Sequence, residues 1–172
     1  MSDPAQLPGP SQEDLAGLDQ YRRWARFLFA ILALLAAIGL VLVPATVGVD
    51  PQRVASAWPL VLILTANVAA TLVVLVALMR GLTRGSAWAL HAVVPVCMVL
   101  IVIGVVRSVI ALTQNQILLP LEAIGGLLVL TRPHGADLLP PATGDDRRRV
   151  TISAGVMFAS YFVPLVLPLA LV

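Results

Sequence analysis

Five long apolar windows, separated by short stretches that hold nearly all of the charge, constrain this chain more than any other feature. Four windows contain no charged residue and the remaining one contains a single glutamate. Each is at or above the ~20 residues that a helix needs to cross the ~30 Å hydrocarbon layer of a bilayer. The pattern predicts an all-α, polytopic transmembrane protein with five spans. The windows are 27–49, 54–79, 85–106, 108–131 and 150–172.

The composition excludes an ordinary soluble domain. Of the 172 residues, 59% are hydrophobic and 12% are charged, whereas soluble domains have about 25% charged residues. Because the apolar windows cover most of the chain, we expect a single membrane domain at 21–172 with a cytoplasmic loop at 132–149. The predicted spans are about 26–48, 57–79, 86–111, 114–131 and 150–172.

Residues 1–20 are polar, acidic and rich in proline and glycine, which predicts a disordered cytoplasmic tail. Within this tail, Ser11 and Asp14 have the spacing of a capping box and could begin a short helix leading into the first span. The basic and aromatic cluster at 21–27 precedes the first window. We favour an uncleaved signal anchor over a cleaved signal peptide, because the apolar stretch is longer than a usual signal core.

The arginines predict an orientation. All eleven basic residues are arginine, and nine of them lie in segments that are cytoplasmic if the N-terminus is cytoplasmic and five helices alternate. Arg53 alone lies on the other side, and Arg107 lies within a span. This bias follows the positive-inside rule and predicts a multi-pass protein of the plasma membrane. The absence of lysine, with abundant Ala, Val, Leu, Gly and Pro, indicates a G+C-rich coding sequence and hence a bacterial inner membrane.

The last window has two possible structures. It is long enough to cross a bilayer, but Pro164 and Pro168 each remove a helical hydrogen bond. A kinked spanning helix is the preferred interpretation of residues 150–172. The alternative is four spans followed by a C-terminal re-entrant or interfacial segment.

An arginine and a glutamate lie inside the predicted third and fourth spans. The polar stretch TQNQ at 113–116 is the most polar position available for the turn between these spans. Arg107 precedes this turn by six residues and Glu122 follows it by six. Since a helix rises about 1.5 Å per residue, both lie ~9 Å from the turn, at matching depth on neighbouring helices. An isolated charge there costs roughly 2.5–3.5 kcal/mol, so the spacing predicts an ion pair.

Small residues flank the two charges. Gly104 lies one helical turn from Arg107, and Gly125 and Gly126 lie one turn from Glu122, so the two backbones could approach closely beside the pair. The favoured interpretation is a structural ion pair that holds the hairpin together. Two alternatives remain: Glu122 could gain and lose a proton as a proton or cation site, or either charge could contact a partner subunit.

Other polar residues within the spans are uncharged. Asn67, Thr71 and Tyr161 are predicted to form hydrogen bonds between helices, with substrate contact as the alternative. The two histidines and the single cysteine form no cluster at ligand spacing, so we expect no metal and no cofactor. No hydrolase motif or phosphate-binding loop is present, so we expect no enzyme activity, and no basic platform predicts nucleic-acid binding.

These features predict a non-enzymatic integral membrane protein, an accessory or structural subunit of a membrane assembly or a self-associating protein. Its expected partners are the lipid bilayer and other membrane protein subunits. The alternative is a small oligomeric transporter or channel that uses Glu122 as its proton or cation site, together with Arg107 and Asn67. A membrane enzyme acting on lipid or quinone is a third class, and it lacks recognisable catalytic groups.

Overall fold

The computed structural model describes residues 11–47, 51–113, 119–131 and 141–170, and all regular structure in these ranges is helical. Five α-helices follow one another in chain order. They are α1 (Gln12–Val47), α2 (Pro51–Thr83), α3 (Ala87–Thr113), α4 (Leu121–Leu130) and α5 (Gly144–Ala170).

Two helices begin with the same side-chain cap. The Asp14 main-chain N–H donates to Ser11 Oγ, and Ser11 donates from its hydroxyl to Asp14 Oδ2 at 2.7 Å. Such a cap satisfies main-chain donors that have no partner within the helix. It explains why residues 12–20 are helical where the sequence predicted a disordered tail. Residues 1–10 of that predicted tail lie outside the described residues.

Helix α5 begins with the second cap, formed by Thr143 and Asp146. The Thr143 hydroxyl and main-chain N–H both donate to Asp146 Oδ2, at 2.7 Å and 3.1 Å. These hydrogen bonds hold the pKa of the exposed Asp146 carboxyl below its ordinary value of 3.8, and the bond from the Thr143 hydroxyl has the larger effect.

The Thr143–Asp146 cap makes the start of α5 sensitive to acid. Because the folded-state pKa of Asp146 is lowered, the cap is fully formed above the ordinary pKa and is lost as the pH falls through the lowered value. Hydrogen exchange of the first turn of α5, corrected for intrinsic rates, is expected to accelerate below about pH 4. An Asp146→Asn variant has no titrating group there and is expected to lose this dependence. The same acceleration in both proteins would contradict the assignment.

A tight turn joins α2 to α3. Gly85 has φ 69°, and the N–H of Ser86 donates to the carbonyl of Gly81 at 2.9 Å, which is the Schellman arrangement at a helix C-terminus. Residues with a Cβ are strained at this φ, so glycine suits the position. The turn brings the end of α2 against the start of α3, where a Cβ added to Gly81 would lie 2.5 Å from Ala89 Cβ.

The bundle is packed most tightly at one end. Helix α1 packs against α2, α3 packs against α4 and α5, and α2 also contacts α5. Tyr21, Phe29, Leu78 and Val93 are almost fully buried in one core, which joins the first half of α1 to the second half of α2 and the first half of α3. Towards the other end several large apolar side chains are exposed, for example Val109 and Leu112.

Arginines of α1, α2 and α5 lie at the tightly packed end of the bundle, with Arg80 in the last turn of α2. Arg22 of α1 lies beside the Gly85 turn that joins α2 to α3. Arg149, near the start of α5, lies with its guanidinium carbon 6.0 Å from the ring centroid of Trp88 at the start of α3. The starts of α1, α3 and α5 therefore lie together, at the same end as the last turn of α2.

Among the described residues, three helices are long and apolar enough to cross a bilayer, where the sequence predicted five. They are Gln12–Leu42, Val61–Thr83 and Ala87–Thr113, and they indicate a membrane-embedded protein. The five-span prediction is therefore wrong for the described part of the chain.

The predicted fourth span fails because its helix is short. Helix α4 has 10 residues, so it is ~15 Å long and reaches across about half of the hydrocarbon layer. It begins immediately after Pro120, whose ψ of 63° is not helical. A proline disfavours helical geometry in the residue before it, here Leu119, so α4 does not extend towards residue 114 as predicted.

The predicted fifth span differs as well. Helix α5 begins at Gly144 rather than at residue 150, and residues 145–149 are all charged. The side chains of α5 are described only as far as Val163, and this part holds too many charges for a membrane span. The predicted loop at 132–149 thus includes the first turns of α5, while residues 132–140 lie outside the described part.

Candidate functional site

The two intramembrane charges lie together. Arg107 Nη1 donates a hydrogen bond to Glu122 Oε1 at 2.8 Å, joining α3 to α4. Both side chains are half-buried, with exposed fractions of 38% for Arg107 and 24% for Glu122, so the pair is enclosed on one side only. We call this ion pair the α3–α4 clasp. The pairing of Arg107 with Glu122 is the contact that the sequence predicted, although Glu122 lies in the first turn of α4 rather than six residues into a helix.

Glycines bring α3 and α4 into close contact beside the clasp. A Cβ added to Gly104 would lie 2.8 Å from Ala123 Cβ and 3.0 Å from the Ala123 main-chain nitrogen. A Cβ on Gly126 would lie 3.0 Å from the carbonyl oxygen of Cys97. Real Cβ atoms essentially never approach another atom to 2.8 Å, and contacts at 3.0 Å are unusually tight, so both glycines permit the backbones to approach. The structure thus places Gly104 and Gly126 in one helix interface.

Gly125 faces a different helix. A Cβ there would lie 2.6 Å from Leu28 Cδ1 of α1, so this glycine sits where α4 meets α1 and not where it meets α3. Sequence reasoning grouped Gly125 with Gly126 as neighbours of α3. It missed that α1 approaches the site, because nothing in the chain order indicates which distant helix packs beside α4.

A cavity of about 480 Å³ lies between α1 and α4. The α1 side chains Trp24, Phe27 and Ile31 line one wall, and α4 lines the other. Arg107 and Glu122 supply the two charged side chains of an otherwise apolar lining. A volume of this size is within the ~300–1,000 Å³ typical of small-molecule sites.

A second cavity of about 210 Å³ also reaches Glu122. It lies among α1, α2 and α5, and Thr71, Ser160 and Tyr161 contribute to its lining. Glu122 therefore contributes to the lining of both cavities.

Asn67, which the sequence predicted to bond between helices, joins α2 to α5. Asn67 Nδ2 donates to the main-chain carbonyl of Ser160 at 2.7 Å. Thr71 instead donates to the carbonyl of Asn67 within its own helix, at 2.9 Å, and its side chain is buried. Asn67 thus bridges two helices, whereas the hydrogen bond of Thr71 is local.

Replacing Asn67 with leucine is expected to weaken the docking of α5 on α2. Such interhelical bonds contribute about 0.6 kcal/mol on average within membranes, so a loss of about this size in the free energy of unfolding is expected. Thr71→Val is the matched control, because it removes a hydrogen bond that joins no helices. Reversible unfolding in mixed micelles would compare the two variants, and an equal loss in both would contradict the bridging role.

The arrangement offers groups that can bind a ligand. Among the described residues no group of three or more His, Cys, Asp or Glu side chains could hold a metal ion. The clasp offers guanidinium donors and carboxylate acceptors at the edge of an apolar cavity. Such a site can fix the helices, exchange a proton or hold a polar group of an apolar ligand.

No protein-family model matches the sequence, and no similar protein or solved structure was found among those compared.

Proposed function

We propose that this chain is a non-enzymatic integral membrane protein that serves as an accessory or structural subunit of a membrane assembly. The observation that carries the proposal is that its intramembrane polar groups bond within the chain. Arg107 bonds to Glu122, and Asn67 bonds to the main chain of α5. These bonds use the polar groups to hold helices together, and the surface away from the core is apolar.

The exposed apolar surface supports a partner at the loosely packed end. Leu112, Val109 and Val102 in the second half of α3 each have more than half of their surface exposed. In a bilayer this surface contacts either lipid or the helices of another subunit. We propose that the N-terminus is cytoplasmic, since the arginine clusters lie at one end of the bundle and the positive-inside rule assigns that end to the cytoplasm.

Site-specific cross-linking in intact membranes tests the subunit role. A photoreactive residue replaces Leu112, which is 61% exposed, and in a matched control it replaces Leu100, which is 1% exposed. We expect position 112 to cross-link to a different membrane protein and position 100 to cross-link only within the chain. Cross-links from position 112 to lipid alone, or only to copies of this chain, would contradict the proposal.

A second candidate function is a small oligomeric transporter or channel in which Glu122 is the proton or cation site. The specific observation in its favour is that Glu122 borders both cavities. A carboxylate between two cavities could pass a cation from one to the other. Tyr161 and Ser160 line the second, smaller cavity.

Liposomes with a trapped pH-sensitive dye would test this second function. The transporter proposal predicts a proton flux that is lost in Glu122→Gln and kept in Gly155→Ala, whose site has no atom within 4 Å of an added Cβ. Equal dye responses in both variants, or no flux in the unmodified protein, would reject the transporter.

A further inference from the structure

We propose that the cavity between α1 and α4 is a binding site for an uncharged, single-chain amphiphile whose polar head hydrogen-bonds to Arg107 and Glu122. This site is separate from the subunit role proposed above, because it lies on α1 and α4 and requires no protein partner.

The cavity is open at the side of the helix bundle and extends along α1. Its α1 wall runs from Trp24 to Leu35, twelve residues that span ~16 Å of helix. Phe27 and Ile31 on this wall are 61% and 42% exposed, so the groove is accessible from the side. An apolar chain can therefore enter from the bilayer and lie along α1.

The clasp gives the groove one strongly polar end. Guanidinium has five N–H donors and a carboxylate has about four acceptor positions, and the bond from Nη1 to Oε1 uses one of each. Glu122 lies in the first turn of α4, and Val129 in its last turn lies on the same cavity wall. The polar end is thus at the start of α4, and the tail of a ligand would extend from there towards Trp24.

The charge of the clasp determines the class of head group. Arg107 and Glu122 neutralise each other, so an anionic head would be repelled by the carboxylate and a cationic head by the guanidinium. A hydrocarbon without a head would leave polar groups in an apolar cavity without new bonds. A hydroxyl head donates a hydrogen bond to the carboxylate and accepts one from the guanidinium, and an ester head accepts from the guanidinium. An uncharged head with these groups therefore fits the clasp.

The depth of the clasp distinguishes this ligand from an ordinary phospholipid. Arg107 lies six residues before the end of α3, which places the clasp ~9 Å along the helix from that end. A phosphate head group remains at the membrane surface, whereas the proposed ligand places its head among the helices. A small uncharged head crosses this distance at lower cost than a charged one.

Photoaffinity labelling of the full-length protein in phosphatidylcholine vesicles tests the proposal. The probe is a monoacylglycerol with a diazirine in its single acyl chain, and the comparison probes carry the same chain as a fatty-acid anion and as a hydrocarbon without a head. We expect labelling of residues 24–35 and 119–129 by the monoacylglycerol, competed by unlabelled monoacylglycerol. Labelling by the other two probes is expected to be about tenfold weaker, the effect of losing one or two hydrogen bonds to charged groups.

Three variants separate binding of the ligand's apolar tail from binding of its polar head. Ile31→Trp fills the groove and is expected to abolish labelling, while Val73→Trp places the same bulk on an exposed position of α2 outside the cavity and is expected to leave labelling unchanged. Arg107→Met with Glu122→Met removes the clasp without leaving an unpaired charge. This double variant is expected to bind monoacylglycerol and hydrocarbon equally.

Three outcomes would overturn the proposal. The first is equal labelling of the groove by all three probes in the unmodified protein, which would indicate bulk lipid without selection. The second is stronger labelling by the anion. The third is labelling that Ile31→Trp and Val73→Trp reduce to the same extent, which would place the bound probe elsewhere.

Discussion

Replacing Glu122 with methionine alone is expected to lower the free energy of unfolding by about 2.5 kcal/mol, the lower end of the cost of an unpaired charge within a membrane helix, because the ion pair is only half-buried. The reason is that Arg107, which donates to Glu122 at 2.8 Å, would then keep its charge without its partner inside the apolar helices. Arg107→Met alone is expected to have a similar effect, because it leaves the carboxylate unpaired.

The double variant Arg107→Met with Glu122→Met is the control that separates pairing from burial. It removes both charges and keeps apolar bulk on both helices, so it is expected to be more stable than either single variant. Reversible unfolding in mixed micelles of the unmodified protein, the two single variants and the double variant gives the coupling free energy between positions 107 and 122. Additive effects, with the double variant the least stable, would show that the two charges do not stabilise each other.

Gly104→Ala is expected to have the second-largest effect. The new methyl group would lie 2.8 Å from Ala123 Cβ and would force α3 and α4 apart, which costs about 1–3 kcal/mol for an overpacked interface. Alanine also favours the helix over glycine by roughly 0.5–1 kcal/mol, so the raw change in stability understates the clash.

Gly155→Ala provides the matched control for that helix preference. Gly155 is exposed in the interior of α5 and has no atom within 4 Å of an added Cβ, so the variant gains helix preference without a clash. The difference in unfolding free energy between Gly104→Ala and Gly155→Ala is therefore expected to be about 1–3 kcal/mol. Equal stability of the two variants would mean that α3 and α4 do not pack at Gly104.

The sequence was sufficient for the features that depend on local geometry. The sequence predicted that Arg107 pairs with Glu122, and the structure joins them by a hydrogen bond, although α4 begins at Leu121 rather than directly after the polar stretch at 113–116. The spacing of Ser11 and Asp14 likewise indicated the cap that begins α1. Both depend only on residues close in sequence or on adjacent helices.

The number of spans could not be read from hydropathy. A window average treats residues 108–131 as one apolar stretch, but Pro120 prevents α4 from starting earlier and leaves it 10 residues long. Charged residues in the first turns of α5 likewise belong to the same helix as the apolar residues after them. Hydropathy measures preference for lipid and does not report where a helix begins.

The cavities could not be predicted because they depend on contacts between distant helices. Leu28 meets Gly125, and Asn67 meets Ser160, across separations that no local rule specifies. Apolar residues occur on every side of α1, so its sequence does not identify the face that lines the site. Knowledge of the packing was needed to place Glu122 between two cavities.

The ionisation state of the Glu122 carboxyl tests the α3–α4 clasp most directly. The chain has two glutamates, Glu13 and Glu122, so a Glu13→Gln variant produced with carboxyl-labelled ¹³C glutamate carries one labelled glutamate side chain. Its infrared spectrum in vesicles at neutral pH is predicted to show ionised carboxylate bands that shift when Arg107→Met removes the guanidinium. A labelled band of a protonated carboxyl group at neutral pH, with Arg107 present, would contradict the clasp.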